Sequence, residues 1–269
     1  MGPTIRVATV NILNDPSRWE ERRALLVREL AARSFDLIAL QEVTNPLGAS
    51  TAHRLADDLG GYSVHVCPKS GWARSREGIA ILSRLPVEDH STLDLGGQGR
   101  TAQRVLVRAG RRPVAFANAH FYWLPGAHAA RVRPVGRLVE WLGGLPSGTP
   151  VIAAGDYNGT PGSPAIALMG RAFASAYAAR HGREPDFTCP TALVSGGPSR
   201  RAIAGALMRA FTNRPGESWR GTLDYIFVSP QVRVVECEAF LDRPSPHDPG
   251  LYASDHPGLG ATLEIPLGG

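Results

Sequence analysis

Ile5-Arg6-Val7-Ala8-Thr9-Val10-Asn11-Ile12 and Asp36-Leu37-Ile38-Ala39-Leu40-Gln41-Glu42 bracket a segment, Arg18 to Arg33, that carries Leu25, Leu26 and Leu30 among charged residues. The first stretch is rich in β-branched residues and alternates, so it reads as a strand. The last is a short apolar run and reads as a buried strand, while the segment between has helical periodicity. Strand, helix, strand within the first 42 residues predicts a layered α/β arrangement. Both strands also end in polar words, Thr9-Val10-Asn11 and Leu40-Gln41-Glu42. Three more such words follow: Gly155-Asp156-Tyr157-Asn158, Leu223-Asp224-Tyr225 and Ser254-Asp255-His256. Each puts a carboxylate, carboxamide or imidazole just beyond a segment that should be buried. Five of them, spread from position 11 to position 256, predict strand ends converging on one hard-cation site.

Thr51 to Leu59 reads as a second helix. Tyr62 to Cys67, Gly78 to Leu82, Arg104 to Arg108 and Val114 to His120 read as strands, and their short connections predict antiparallel pairing. Arg131 to Leu142 is helical again, with Pro134 near its expected start, where proline is tolerated. Strands are expected over Val151–Ala154, Thr222–Val228, Val232–Leu241 and Leu259–Ile265. The two halves share a rhythm of strand, helix and several strands, without a repeat or a linker, so one domain over residues 1–269 is expected. Ser199 to Thr212 reads as a short basic helix whose Arg200, Arg201 and Arg209 form a solvated face.

At 43% hydrophobic and 20% charged residues, the chain can build an ordinary globular core. No apolar run reaches 18 residues, which argues against a spanning helix, and the N-terminus reads as the start of a strand rather than a signal peptide. Cys67, Cys189 and Cys237 are scattered without a CxxC spacing. A thiolate zinc site is therefore not expected, and all three read as small buried hydrophobes compatible with a reducing cytoplasm. The net charge of +5 favours a polyanionic partner, although the arginine bias, with Lys69 the only lysine among 29 Lys and Arg, runs through the whole chain.

A carboxylate at the mouth of a buried strand is costly unless paired or bound to metal, which makes Glu42 the first choice as a Mg²⁺ ligand. Asn11 can donate to a phosphate oxygen or orient a metal ligand without adding charge. Asp156 and Asn158 lie two apart on a glycine-started turn. Asp156 can orient an attacking water or take its proton, and Asn158 can hold a phosphoryl oxygen. His256 suits proton transfer or stabilisation of developing charge, and Asp224 can fix its tautomer. His120, ending a strand in the same way, is a second candidate.

In this order, from Asn11 to His256, the words resemble those of the endonuclease/exonuclease/phosphatase superfamily, the deoxyribonuclease I-like group. The resemblance implies a four-layer α/β/β/α sandwich of two mostly antiparallel sheets flanked by helices. It implies Glu42 as the main Mg²⁺ ligand, with Mn²⁺ able to substitute, and Asn11 and Asp255 completing the metal environment. Asp156 and Asn158 match its water-orienting and phosphate-binding pair, and His256 its histidine with Asp224 as partner. Glu77 falls where one branch supports a second histidine, here His120. Arg104 falls where several members place a phosphate-contacting arginine. The implied reaction is in-line attack of water on phosphorus by a phosphodiesterase or nuclease. The expected partner is a phosphate ester, with nucleic acid as one class, handled by a cytoplasmic monomer. A phosphomonoesterase or a sphingomyelinase-like phospholipid diesterase is the alternative. A non-catalytic binding module ranks lowest, since Glu42, Asp156 and His256 are all present.

Overall fold

A computed structural model describes residues 2–124, 128–193 and 220–266, so the basic helix expected over 199–212 lies outside the described residues. In chain order the elements are β1 (Thr4–Asn11), α1 (Trp19–Arg33), β2 (Leu37–Thr44), α2 (Thr51–Leu59), β3 (Ser63–Pro68), β4 (Glu77–Ser83), β5 (Val87–Gly96), β6 (Arg100–Ala109) and β7 (Arg112–His120). They continue with α3 (His128–Gly143), β8 (Val151–Asp156), α4 (Pro164–Met169), β9 (Ala174–Ser175), α5 (Ala176–His181), β10 (Asp224–Val228), β11 (Arg233–Phe240) and β12 (Gly258–Glu264). A single 3-10 turn, Gly71–Ala73, sits between β3 and β4.

The helices follow from local chemistry. Glu20 and Glu21 in the first turn of α1 and Arg33 in its last complement the helix dipole, while Leu25, Leu26 and Leu30 form its buried stripe. Ser50 caps α2 by accepting the His53 N–H. α3 begins three residues before its expected start, so Pro134 falls inside the helix rather than in its first turn.

Two six-stranded mixed sheets form, ordered β11-β12-β1-β2-β4-β3 and β5-β6-β7-β8-β10-β9. Each contains one parallel pair, β1 with β2 and β7 with β8, and these pairs are the ones connected through α1 and α3. All other pairings are antiparallel. Between the sheets lies an apolar core in which Ile5, Val7, Leu37, Ala39 and Ile81 meet Val105, Val107, Phe116, Ile152 and Ile226. A second core packs α1 and α2 on the first sheet, and a third packs α3 and α4 on the second. The result is the expected four-layer sandwich. Each fully buried Leu, Ile, Val or Phe in it contributes roughly 1.5–3 kcal/mol. Among the described residues, no helix is long and apolar enough to cross a membrane.

Strand alternation carries this core into a polar end. On β1 the side chains facing the other sheet run Ile5, Val7, Thr9, Asn11; on β7 they run Val114, Phe116, Asn118, His120. On β8 the same face reads Ile152, Ala154, Asp156, on β4 Ile81, Ile79, Glu77, and on the oppositely directed β10 Val228, Ile226, Asp224. Five strands therefore change from apolar to polar at the same end of the sandwich.

Candidate active site

The floor of that end is a buried polar layer. Gln41 donates from Nε2 to Asn118 Oδ1 (2.8 Å) and to Thr9 Oγ1 (3.0 Å). Asn118 in turn donates from Nδ2 to the carbonyls of Leu40 (2.9 Å) and Ala80 (2.8 Å). Asn118 belongs to one sheet and both carbonyls to the other, so these bonds hold the sheets in register directly beneath the site. All three side chains are fully buried, so each of these bonds replaces water contacts that burial removed.

Glu42 reaches the site through a bulge. Simple alternation would send it toward the helices, on the same face as Leu40. Between Leu40 and Val43 the pairing of β2 with β4 slips, and Glu42 adopts a left-handed backbone with φ of 60°. This turns the carboxylate into the cleft, where Oε2 accepts the Asn14 N–H at 2.7 Å. A left-handed non-glycine residue costs about 1–3 kcal/mol, a strain held by the surrounding sheet. Burial, followed by the nearby Glu77 and Asp255 carboxylates, raises the pKa of Glu42.

Asn11 is the hinge between carboxylates. Its Oδ1 accepts the Leu13 N–H, so its amide NH₂ faces Asp156 Oδ2 at 3.1 Å and Glu42 Oε1 at 3.4 Å. Asp156 is opposed in register by His120 on β7 and by Asp224 on β10. Its Oδ1 accepts the Asn158 N–H at 2.8 Å, and its Oδ2 lies 3.4 Å from His120 Nε2. Burial, reinforced by Asp224, pushes the Asp156 carboxyl up to about 7. Gly155 makes the close β7–β8 approach possible, because a Cβ there would sit 2.0 Å from the Ala119 carbonyl oxygen. Asn158, itself left-handed at φ 48°, donates from Nδ2 to the Phe121 carbonyl.

His256 Nδ1 meets Asp224 Oδ2 at 2.8 Å, and Thr188 Oγ1 donates to the same oxygen at 2.6 Å. Burial works against a charge on His256, but its polar surroundings, with the Asp224 carboxylate at Nδ1, outweigh it and hold the imidazolium well above the ordinary histidine range. His120 is the opposite case. Arg100, which can only donate, gives Nη1–H to His120 Nδ1 at 2.7 Å, so the ring is neutral with its proton on Nε2. Burial first, then Arg100 and Lys69, holds its pKa well below the usual value. The site thus holds one charged and one neutral imidazole.

Glu42, Asn11, Asp156, Asn158, Asp224, Asp255, His256, His120 and Glu77 are brought to this one end of the fold. Two expectations need correction. Glu77 does not pair directly with His120. Its Oε1 lies 3.9 Å from Nδ1 and is taken by Arg100 at 3.0 Å and by Lys69 at 2.6 Å. Arg104 is not at the site. It shares a strand face with Ala102 and Leu106, so it turns outward, stacks its guanidinium on Trp141 at 4.4 Å and donates to the Trp141 carbonyl. Among the described residues, Arg100, four residues earlier, is an arginine that does reach the site.

Arg100, Lys69, Asn14, Thr188 and Cys189 are the site residues the sequence reading missed. Strand parity was a signal against Arg104 only, because Val105 and Val107 as core residues place it on the other face; Arg100 has the same parity as Arg104, so its entry into the site at the strand end was not readable that way. Cys189 is no buried hydrophobe: it is partly exposed and lies beside His256, and burial of its sulfur raises the thiol to about 11.

The donors suit a hard cation. Glu42 and Asp255 are partly exposed carboxylates, and Asp224 Oδ1 is fully buried without a protein partner. Among the described residues, Asp156, Asp224 and His256 also offer ligand atoms within 4.8 Å of one another. That trio differs from the expected set of Glu42, Asn11 and Asp255.

The chain is similar to known proteins over nearly its whole described length. A model of the endonuclease/exonuclease/phosphatase family matches residues 8–256. An uncharacterized Escherichia coli protein, YbhP, is 27% identical over 248 residues, covering 86% of this chain and 97% of its own. Drosophila melanogaster Nocturnin is 25% identical over 92% of this chain, which spans only 42% of that protein. Among solved structures, the human Nocturnin catalytic domain with bound sulfate superposes with a TM-score of 0.74 at 23% identity, covering 98% of this chain and 94% of that one. Danio rerio TDP2 complexed with a single-strand DNA product gives 0.76 at 16% identity, covering 97% and 99%.

Proposed function

The chain belongs to the endonuclease/exonuclease/phosphatase family of hydrolytic phosphoesterases, and we propose that it is a magnesium-dependent phosphodiester hydrolase. The observation that carries this reading is the pairing of a buried, raised-pKa carboxylate with an opposed imidazolium. Asp156 is poised to take a proton near neutrality, and His256, oriented by Asp224, is poised to give one. Water oriented by Asp156 attacks phosphorus, and His256, whose ring nitrogen lies within 4.8 Å of the Asp156 carboxylate, neutralises charge on the phosphoryl oxygens. The neutral His120 Nε2–H, the Arg100 guanidinium and the Asn158 amide are donors suited to the remaining phosphate oxygens. Glu42, with Asp255 beside it, is the proposed metal carboxylate, and Mn²⁺ should substitute for Mg²⁺. When bound there, the cation supplies charge neutralisation on the phosphate. Since strands of both sheets contribute to this one site, we read the chain as a single catalytic domain.

The test is hydrolysis of bis-p-nitrophenyl phosphate with Mg²⁺, with Mn²⁺ and with chelator. His256→Ala is expected to lower turnover by about 100-fold or more. Inactivity of the wild-type protein on every diester and monoester, with and without divalent metal, would sink the proposal.

A further inference from the structure

Among the described residues only three large apolar side chains are exposed: Leu47 at 57%, Trp72 at 84% and Trp123 at 36%. They come from three different loops, yet all three loops lie at the site end of the sandwich. Leu47 follows β2, the strand that delivers Glu42. Trp72 lies in the β3–β4 connection, whose ends hold Lys69 and Glu77, joined to each other at 2.6 Å. Trp123 stands three residues beyond His120. Isolated exposed apolar residues on a surface are ordinary, but a set confined to the rim of one cleft marks a binding surface.

The composition of these loops says what they meet. Residues 45–49, 69–76 and 121–124 contain no Asp or Glu, although the chain has 24. They do contain Lys69, Arg74 and Arg76, and Arg74 and Arg76 are exposed. The Arg76 guanidinium lies 5.6 Å from the centre of the Trp72 ring. The tips read Asn45-Pro46-Leu47-Gly48-Ala49, Gly71-Trp72-Ala73 and Tyr122-Trp123-Leu124. Tryptophan and arginine together suit either stacked bases or a lipid interface. Leu47 and Ala49, both exposed, and the partly exposed Leu124 decide between them, because they have no π-face on which a base could stack, whereas an acyl boundary accepts any apolar side chain.

We propose that these three loops form a collar that docks on an anionic lipid surface and presents phosphodiester headgroups to the site. Apolar tips enter the headgroup boundary, and Arg74 and Arg76 meet lipid phosphates around the mouth. The inference names a substrate class for the hydrolase reading above and rests on it for the catalytic half; the docking half is measurable without turnover.

The experiment is cosedimentation of the whole chain with vesicles of equal parts phosphatidylglycerol and phosphatidylcholine, and with vesicles of phosphatidylcholine alone. Binding is expected to the anionic vesicles, weaker binding to the neutral ones, and release as salt rises. The Leu47→Ser/Trp72→Ser double variant alters two exposed side chains outside the catalytic set. It should lower partitioning at least ~tenfold, the scale of one lost apolar anchor, while hydrolysis of bis-p-nitrophenyl phosphate is unchanged. Failure of the wild-type chain to bind anionic vesicles overturns the proposal, as does equal binding by the variant. Tight binding of a single-stranded oligonucleotide that the double substitution abolishes, with vesicles ignored, reassigns the collar to nucleic acid and also overturns it. Vesicle binding without hydrolysis of any diester keeps the docking surface and refutes the hydrolase reading instead.

Discussion

Replacing Asp156 by Asn should make the metal-free protein relatively more stable as pH rises, by an amount the site itself sets. Asp156 is 1% exposed, and its carboxyl is raised from an ordinary 3.8 to about 7. A folded pKa above the unfolded value means that the native state holds the proton more tightly. The cost of ionising this group in place is therefore absent below about pH 4, grows through the window between the two values and levels off above about pH 7. At about 1.4 kcal/mol per unit, that cost is about 2 kcal/mol near pH 5 and about 4 kcal/mol near pH 8. Asparagine cannot ionise and escapes it. The substitution also sets an amide NH₂ against donors that now face Asp156, either Asn11 Nδ2 and His120 Nε2 at one oxygen position or the Asn158 N–H at the other. That loss, about 1–3 kcal/mol, does not vary with pH and cancels in the comparison. The difference in unfolding free energy between variant and wild type should thus move in favour of the variant by about 2–3 kcal/mol from pH 5 to pH 8. Urea unfolding in chelator at the two pH values measures it, and added Mg²⁺ should narrow it by stabilising the carboxylate nearby. A difference that stays constant with pH would refute the claim that burial charges Asp156 this cost. Turnover should collapse in the same variant, so stability and activity are expected to move in opposite directions.

Other perturbations probe other parts of the site. Glu42→Gln should raise the Mg²⁺ concentration needed for half-maximal activity by more than about tenfold, read from metal titrations of the diesterase rate. Arg100→Met removes both the donor to His120 Nδ1 and a cation that disfavours its protonation, so the His120 pKa should rise. The turnover–pH profile already falls in the wild type below about pH 7, as Asp156 takes up its proton, and should fall more steeply on the acid side in the variant; identical profiles would show that Arg100 does not hold the ring neutral. Gly155→Ala forces a Cβ against the Ala119 carbonyl at a backbone φ of 145°. It should cost about 3 kcal/mol or more in denaturant unfolding, since neither strand can yield without shifting His120 and Asp156.

The expected elements are found where a buried face wrote a period into the chain. β1, α1, β2, α2, β4, β7, β8 and β12 all carry such a face, and α2 spans the expected residues. β5 was missed because Val-Glu-Asp-His-Ser-Thr-Leu-Asp-Leu-Gly is an edge strand with one side in water, and its charges mask the alternation. α4 and α5, six residues each, are too short to show a helical period. At the site, residues at the ends of regular strands were readable, since parity with the core residues behind them aims Asn11, His120, Asp156 and Asp224 the same way. Arg104 was misread because its chemistry was weighed before its parity.

By itself the sequence determined the layered α/β class and the chemical types at the strand ends, because alternation and helical period are local properties that survive without contacts. Tertiary structure alone decided three things. A bulge with left-handed geometry turns Glu42 away from the helix layer and into the cleft. Asn118 bonds across to Leu40 and Ala80, which fixes how the two sheets face each other beneath the site. Arg100, rather than Glu77, meets His120 and keeps one imidazole neutral beside a charged one. Each of these is a relation between residues far apart in the chain, set by how two sheets pack, and no local pattern encodes it.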